Sequence, residues 1–337
     1  MKKETVQNPV GEYRPRMAIC YDFDRTLSPD DMQSFTLIPS FGIDKEEFWH
    51  ESDSIAKENL MDKNLAWMFE LIKYSRFKGK SLRREYFKQI GAEVPLYEGV
   101  EGWFDHINEY AARAGIEVEH YIISSGLKEI IEGNPIAKHI KRIYASSYLY
   151  SADGIAEWPA QAVNYTTKTQ FIYRIAKGFL EEYDERVNDV LPHSRLRIPY
   201  DNIVYIGDSA TDIPCMRLVR RKGGYSIGVF DPATGNRKKV YQLFNDDRLD
   251  FYAPARYTER SALTAFMKQI IDDIAVKERH KAAQQQLRAP AEAYKRKLAL
   301  ERLLSSYDDD MTPEERETLK TMLEHVESFL YDKGDRS

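Results

Sequence analysis

The run Met17-Ala18-Ile19-Cys20-Tyr21-Asp22-Phe23-Asp24-Arg25-Thr26-Leu27 decides how this chain is built. Its first five residues form a near-continuous apolar stretch of strand length, as expected for a parallel strand covered on both faces. The acids follow at the carboxyl end of that strand. Because side chains alternate along a strand, Asp22 and Asp24 can face one crevice. Asp also favours plain turns, so Asp-x-Asp alone decides little. Two carboxylates so close raise each other's pKa, and either a cation neutralises one or one keeps its proton. Both states suit chemistry at a phosphoryl group.

A second acidic strand end lies far downstream in Asn202-Ile203-Val204-Tyr205-Ile206-Gly207-Asp208-Ser209-Ala210-Thr211-Asp212. Between the two, Tyr121-Ile122-Ile123-Ser124-Ser125-Gly126 is an apolar strand ending in serine, and Thr166-Thr167-Lys168-Thr169 carries a lysine. In this order the four segments resemble the motifs of the haloacid dehalogenase-like superfamily. Asp22, Asp24 and Thr26 match the first motif, Ser124 the second, Lys168 the third, and Gly207, Asp208 and Asp212 the fourth. The resemblance covers roughly residues 16 to 258. Arg25 departs from it, standing where Gly or another small residue is usual.

With 337 residues the chain can hold one large or two medium domains. Its 49 basic and 54 acidic residues leave a net charge of −5, so no strongly basic surface argues for nucleic acid. Two cysteines, Cys20 and Cys215, are too few for a disulfide framework and read as buried thiols. Residues 1 to 15 read as a polar leader without an apolar core, and no run approaches a membrane span, so a cytoplasmic protein is expected. The seven histidines show no zinc-ligand spacing.

From residue 28 to 115 the periodicity is helical: one helix around Asp44 to Leu60, one carrying Leu65, Met68, Phe69, Leu71 and Ile72, one between Ser81 and Gly91, and one from Val100 towards Gly115. Strand character returns at Glu117 to Ser124, Ile143 to Leu149 and Gly224 to Phe230, residues 155 to 167 read as loop, and Phe171 to Tyr183 reads as helix. This alternation predicts an α/β fold with a doubly wound parallel sheet, its ligand crevice outside the carboxyl ends of the strands. The core comprises residues 1–27 and 116–258. The resemblance makes residues 28–115 a helical cap of the phosphoserine phosphatase-like branch. Residues 259–337 form a helical extension, in which Thr312-Pro313-Glu314-Glu315 is a capping box and Leu319, Met322, Leu323, Val326, Phe329 and Leu330 make one apolar stripe. That stripe packs on the core, packs on the helix around Ala291 to Leu304, or joins copies of the chain.

The resemblance also implies roles. Asp22 is the nucleophile that forms an aspartyl-phosphate, and Asp24 is the general acid and then the general base. Oxygen ligands without clustered His or Cys point to Mg²⁺, held by Asp22, the carbonyl of Asp24 and Asp208, with Asp212 next to or near it. Ser124 with the amides of Ser125 and Gly126 would bind phosphate, and Lys168 would add a positive charge, although Lys138 and Lys141 also lie between the second and fourth motifs. The implied activity is hydrolysis of a small phosphorylated metabolite. A phosphotransferase or mutase would use the same residues, and a non-catalytic binding protein would share the fold.

Overall fold

The computed structural model describes residues 14–306 and 311–332. The expected polar leader lies outside these residues, but for Arg14 and Pro15.

Strand β1 (Arg16–Tyr21) occupies the middle of a seven-stranded sheet, and Met17 to Tyr21 are wholly shielded from solvent. Its neighbours are β2 (Glu117–Leu127) and β5 (Ile203–Gly207), both parallel, with Cys20 level with Tyr121 on one side and Tyr205 on the other. Beyond β2 lie β3 (Ile140–Tyr150) and β4 (Ala156–Gln161); beyond β5 lie β6 (Tyr225–Phe230) and β7 (Phe251–Pro254). The order is β4-β3-β2-β1-β5-β6-β7, and only the β3–β4 pair is antiparallel. From β1 the chain passes first to one flank and later to the other, so the switch point falls between β1 and its neighbours.

Six helices connect β1 to β2: α1 (Met32–Phe35), α2 (Leu37–Ser40), α3 (Lys45–Glu58), α4 (Lys63–Phe77), α5 (Arg84–Glu93) and α6 (Val100–Arg113). Then α7 (Lys128–Gly133) follows β2, α8 (Lys168–Lys177) follows β4, α9 (Ile213–Arg221) follows β5 and α10 (Lys238–Asn245) follows β6. One sheet face packs Ala18, Cys20, Tyr121 and Ile123 against Phe171, Ile172 and Ile175 of α8 and Met216 and Val219 of α9. Tyr144 and Phe171 stack there with ring centroids 4.3 Å apart. Fully burying one such side chain is worth about 1.5–3 kcal/mol.

The other face holds a polar relay inside an aromatic cluster. Trp103 Nε1 donates to the Tyr21 hydroxyl (2.8 Å), Tyr21 lies 3.0 Å from His120 Nδ1, and His120 Nε2 lies 3.0 Å from Asn108 Oδ1. A neutral imidazole carrying its proton on Nε2 satisfies every member, and burial pushes the His120 pKa down to about 3.

Helices α3 and α4 start where the sequence supplies caps: Asp44 accepts from the amides of Glu46 and Glu47, and Asp62 from those of Asn64 and Leu65. The helix expected to stop at Gly91 runs through it. A Cβ on Gly91 would lie 1.9 Å from the Ile130 carbonyl oxygen, and one on Gly133 2.0 Å from that of Lys88, so these glycines let α5 and α7 touch backbone to backbone. Further links join the insert to the sheet: Ala156 N–H to Leu82 O (2.8 Å), Arg84 N–H to Gly154 O (3.1 Å), and the Tyr148 hydroxyl to Met68 O (2.7 Å). Part of the stretch expected as loop over 155–167 is thus an edge strand, β4. The helix expected over Phe171 to Tyr183 starts at Lys168 and closes at Gly178, whose φ of 83° suits glycine.

The chain divides into two compact units, one reaching Ile274 and one starting at Ala275. Helix α11 spans Ala262–Ser306 and α12 spans Pro313–Asp332. In the second unit Lys297 Nζ lies 2.6 Å from Glu327 Oε1, tying α12 to α11, and Thr312 with Glu315 forms the capping box. No helix among the described residues is long and apolar enough to cross a membrane.

Candidate active site

The acid-bearing ends of β1 and β5 open into one cavity of about 740 Å³, lined by Asp22, Asp24, Ser125, Asn164 and Asp208 among others. Asp22 leaves β1 with its amide still in the sheet, donating to Ile206 O at 2.9 Å. The backbone then folds tightly, because the amides of Thr26, Leu27 and Ser28 all converge on the Phe23 carbonyl. Arg25, inside that turn, has a φ of 58°. Asp24 Oδ1 accepts from the Met32 amide at 2.8 Å, at the start of α1.

Lys168 explains how three carboxylates can share this place. Its side chain is fully buried, and Nζ lies 2.8 Å from Asp212 Oδ1 and 3.1 Å from Asp22 Oδ1. Burial alone would lower its pKa, but Asp212 and Asp22 raise it far above the ordinary lysine value. Lys138, Lys141 and Lys168 all lie between the second and fourth motifs. Lys138 is exposed, and Lys141 reaches Glu119 at 3.9 Å, which leaves Lys168 at Asp22.

Asp212 is wholly buried and saturated with donors. Oδ1 takes Lys168 Nζ and the Tyr205 hydroxyl, both at 2.8 Å; Oδ2 takes the amides of Asp208 (3.2 Å) and Ser209 (3.3 Å) and the Ser209 hydroxyl (3.4 Å). It therefore orients its neighbours. Gly207 allows this, since a Cβ there would lie 2.5 Å from Asp212 Oδ2. By contrast, Asp22 Oδ2 and both oxygens of Asp208 accept no hydrogen bond from the described residues.

Carboxylate oxygens of Asp22, Asp208 and Asp212 fall within 4.8 Å of one another. Burial, then Asp212, pushes the pKa of Asp22 upward against the pull of Lys168, and burial with Asp212 and Asp22 does the same for Asp208. Burial, then Asp31 and Asp22, raises Asp24 despite the Met32 amide. The orphaned hard oxygens of Asp208 beside the Asp22 carboxylate, destabilised as anions, fit a divalent cation such as Mg²⁺.

The second-motif loop is arranged differently from expectation. Ser124 is fully buried, and its Oγ accepts from the Gly126 amide at 3.0 Å, so Ser125 is the member that lines the cavity. Gly126 lets the loop approach: a Cβ on it would meet Met32 Cε at 2.2 Å and Asp24 Oδ2 at 3.0 Å.

Two further residues were not singled out by the sequence. Tyr205, two residues before Gly207 and so on the same strand face, was available from alternation. Asn164 was not, since it acts through a turn: Oδ1 accepts from the amides of Thr166 and Thr167, its carbonyl accepts from the Lys168 amide, and Nδ2 donates to Asp62 Oδ2 at 2.8 Å.

The family model for haloacid dehalogenase-like hydrolases matches residues 19–217. An uncharacterized protein of Borreliella burgdorferi is 29% identical over 272 residues, spanning 73% of this chain and 93% of that one. Among solved structures, a phosphoserine phosphatase carrying a phospho-aspartyl intermediate analogue is similar with a TM-score of 0.48 and 18% identity, over 76% of this chain and 99% of that one. Cytosolic 5'-nucleotidase IIIB bound to cytidine is similar with a TM-score of 0.44 and 18% identity, over 80% and 88%.

Proposed function

The chain belongs to the haloacid dehalogenase-like hydrolase family, and within it we propose a cytoplasmic, Mg²⁺-dependent phosphatase of small phosphorylated metabolites that works through an aspartyl-phosphate on Asp22. One observation carries this reading: buried Lys168 holds Asp22 Oδ1 while Asp22 Oδ2 has no donor among the described residues, and Asp22 lines the cavity. A carboxylate fixed at one oxygen and bare at the other is set up as a nucleophile.

In the first half, Asp22 Oδ2 bonds to phosphorus in line with the leaving alcohol, and the ester P–O bond breaks. Asp24, whose pKa is raised, gives its proton to the departing oxygen. In the second half, Asp24 takes a proton from water, the water oxygen attacks phosphorus, and the acyl-phosphate bond opens to restore Asp22. Lys168 keeps Asp22 oriented throughout, and Ser125 with the amides of its loop would hold a phosphoryl oxygen. Asp22, Asp208 and the Asp24 carbonyl would hold Mg²⁺, which supplies charge neutralisation at the phosphoryl oxygens.

Residues 28–115 would serve as the cap. The amino end of α4 brings Asp62 and Asn64 to the cavity. The buried thiols Cys20 and Cys215 support a reducing compartment. The test is release of phosphate from 4-nitrophenyl phosphate with Mg²⁺. Turnover abolished in Asp22→Asn and in chelator is expected; chelator-resistant turnover, or a fully active Asp22→Asn, would overturn the reading.

A further inference from the structure

Arg25, the residue that departs from the family pattern, stands in the wall of a second, smaller cavity. That space, about 230 Å³, meets the larger one at Arg25, Asp208 and Lys239, which line both. Arg25 Nη2 makes both of its ion pairs, to Asp31 (2.9 Å) and Asp30 (3.4 Å). Its Nε and Nη1 hydrogens find no acceptor among the described residues, and neither does the ammonium of Lys239 at the start of α10. Tyr97 also lines this space; the residue is only 8% exposed, and its buried hydroxyl has no hydrogen-bond partner among the described residues. A buried hydroxyl without a partner costs about 1–3 kcal/mol, so a group that answers it is expected at that spot.

Asp208 and Asp231 line the same space, but neither accepts a hydrogen bond from Arg25, Lys239 or Tyr97. Asp231 Oδ1 accepts from the Ala233 amide at 2.9 Å, and Asp208 is assigned above to the cation. What remains is a guanidinium edge, an ammonium and a phenol around one small volume that opens onto the nucleophile's cavity. Such a set of donors suits a compact oxyanion.

We propose that Arg25, Lys239 and Tyr97 form a subsite for a second anionic group of the substrate, a carboxylate or a second phosphoryl. This rests on the phosphatase reading and narrows it to phosphomonoesters whose alcohol part bears a further negative charge. Charge-assisted hydrogen bonds from Lys239 and Arg25 are each worth about 1.5–3 kcal/mol, roughly a 10- to 150-fold change in affinity.

Non-hydrolysable phosphonates test the subsite without turnover. In calorimetric titrations with Mg²⁺ present, propane-1,3-bisphosphonate or 4-phosphonobutanoate should bind the intact chain at least about tenfold tighter than propylphosphonate; the stronger of the two identifies the anion. Lys239→Met, an exposed position that leaves the fold untouched, and Arg25→Met should each remove that preference, with folding checked by circular dichroism. Equal affinities for all three ligands, or a preference that survives in Lys239→Met, overturns the subsite. The two readings fail separately. A chain that binds the dianions preferentially but shows no Asp22-dependent phosphate release contradicts the phosphatase reading alone, whereas turnover without discrimination contradicts the subsite alone.

Discussion

Replacing Lys168 with Met removes a cation buried among the carboxylates, and its geometry sets the cost. Nζ sits 3.1 Å from Asp22 and 2.8 Å from Asp212. At an effective dielectric of about 20, each contact is worth about 5 kcal/mol. Against this stands the desolvation of the ammonium, several kcal/mol, which Met does not incur. The expected net loss is about 3–5 kcal/mol, typical of breaking a buried pair from one side. All four tryptophans, Trp49, Trp67, Trp103 and Trp158, lie before Ile274, so their fluorescence follows the first unit by itself. In urea at pH 8 with chelator, at about 3 kcal/mol per molar, the midpoint should fall by about 1–1.7 M. Saturating Mg²⁺, at about a hundred times its Kd, should return about 2.7 kcal/mol of stability. A midpoint that moves by less than about 0.3 M in chelator would mean that Lys168 does not hold the carboxylates as anions.

Gly207→Ala forces a methyl to within 2.5 Å of Asp212 Oδ2; a stability loss of about 1–3 kcal/mol with a much larger loss of phosphate release is expected, read by urea unfolding and steady-state kinetics. His120, held neutral with its pKa lowered to about 3, binds fewer protons folded than unfolded between pH 3 and its usual 6.5. Its contribution is whole above 6.5 and shrinks on acidification, by about 2.7 kcal/mol at pH 4.5; in His120→Gln that part of the pH slope should vanish, and an unchanged slope counts against it. Asp24→Asn should slow esters of poorly acidic alcohols at least about a hundredfold more than 4-nitrophenyl phosphate, whose leaving group needs no proton; equal losses on both would remove Asp24 as the acid.

What the sequence reveals and conceals follows from range. The apolar runs at Met17 and Ile203 and the acids behind them are local patterns, and local alternation fixes strand, face and end together. Edge strands give weaker signals. β4 contains Pro159 and an exposed Trp158, and β7 is four residues ending in Pro254, so neither reads as a strand until a neighbour pairs with it. Gly91 looked like a helix stop because a glycine near a helix end usually is one; its reason is Ile130, far away in sequence. The choice among three lysines and the donor-filled state of Asp212 depend on distances between segments, which spacing along the chain does not contain. Arg25 was visible as a departure, but its meaning needed Tyr97 and Lys239 beside it.

In the proposed reaction the phosphoryl group passes through Asp22. Incubation with ³²P-labelled substrate, acid quench and peptide mapping of the acid-stable, hydroxylamine-labile label tests it directly. One labelled peptide containing Asp22 is expected, accumulating in Asp24→Asn and absent from Asp22→Asn. Label on any other residue, or undiminished turnover by Asp22→Asn, would contradict it.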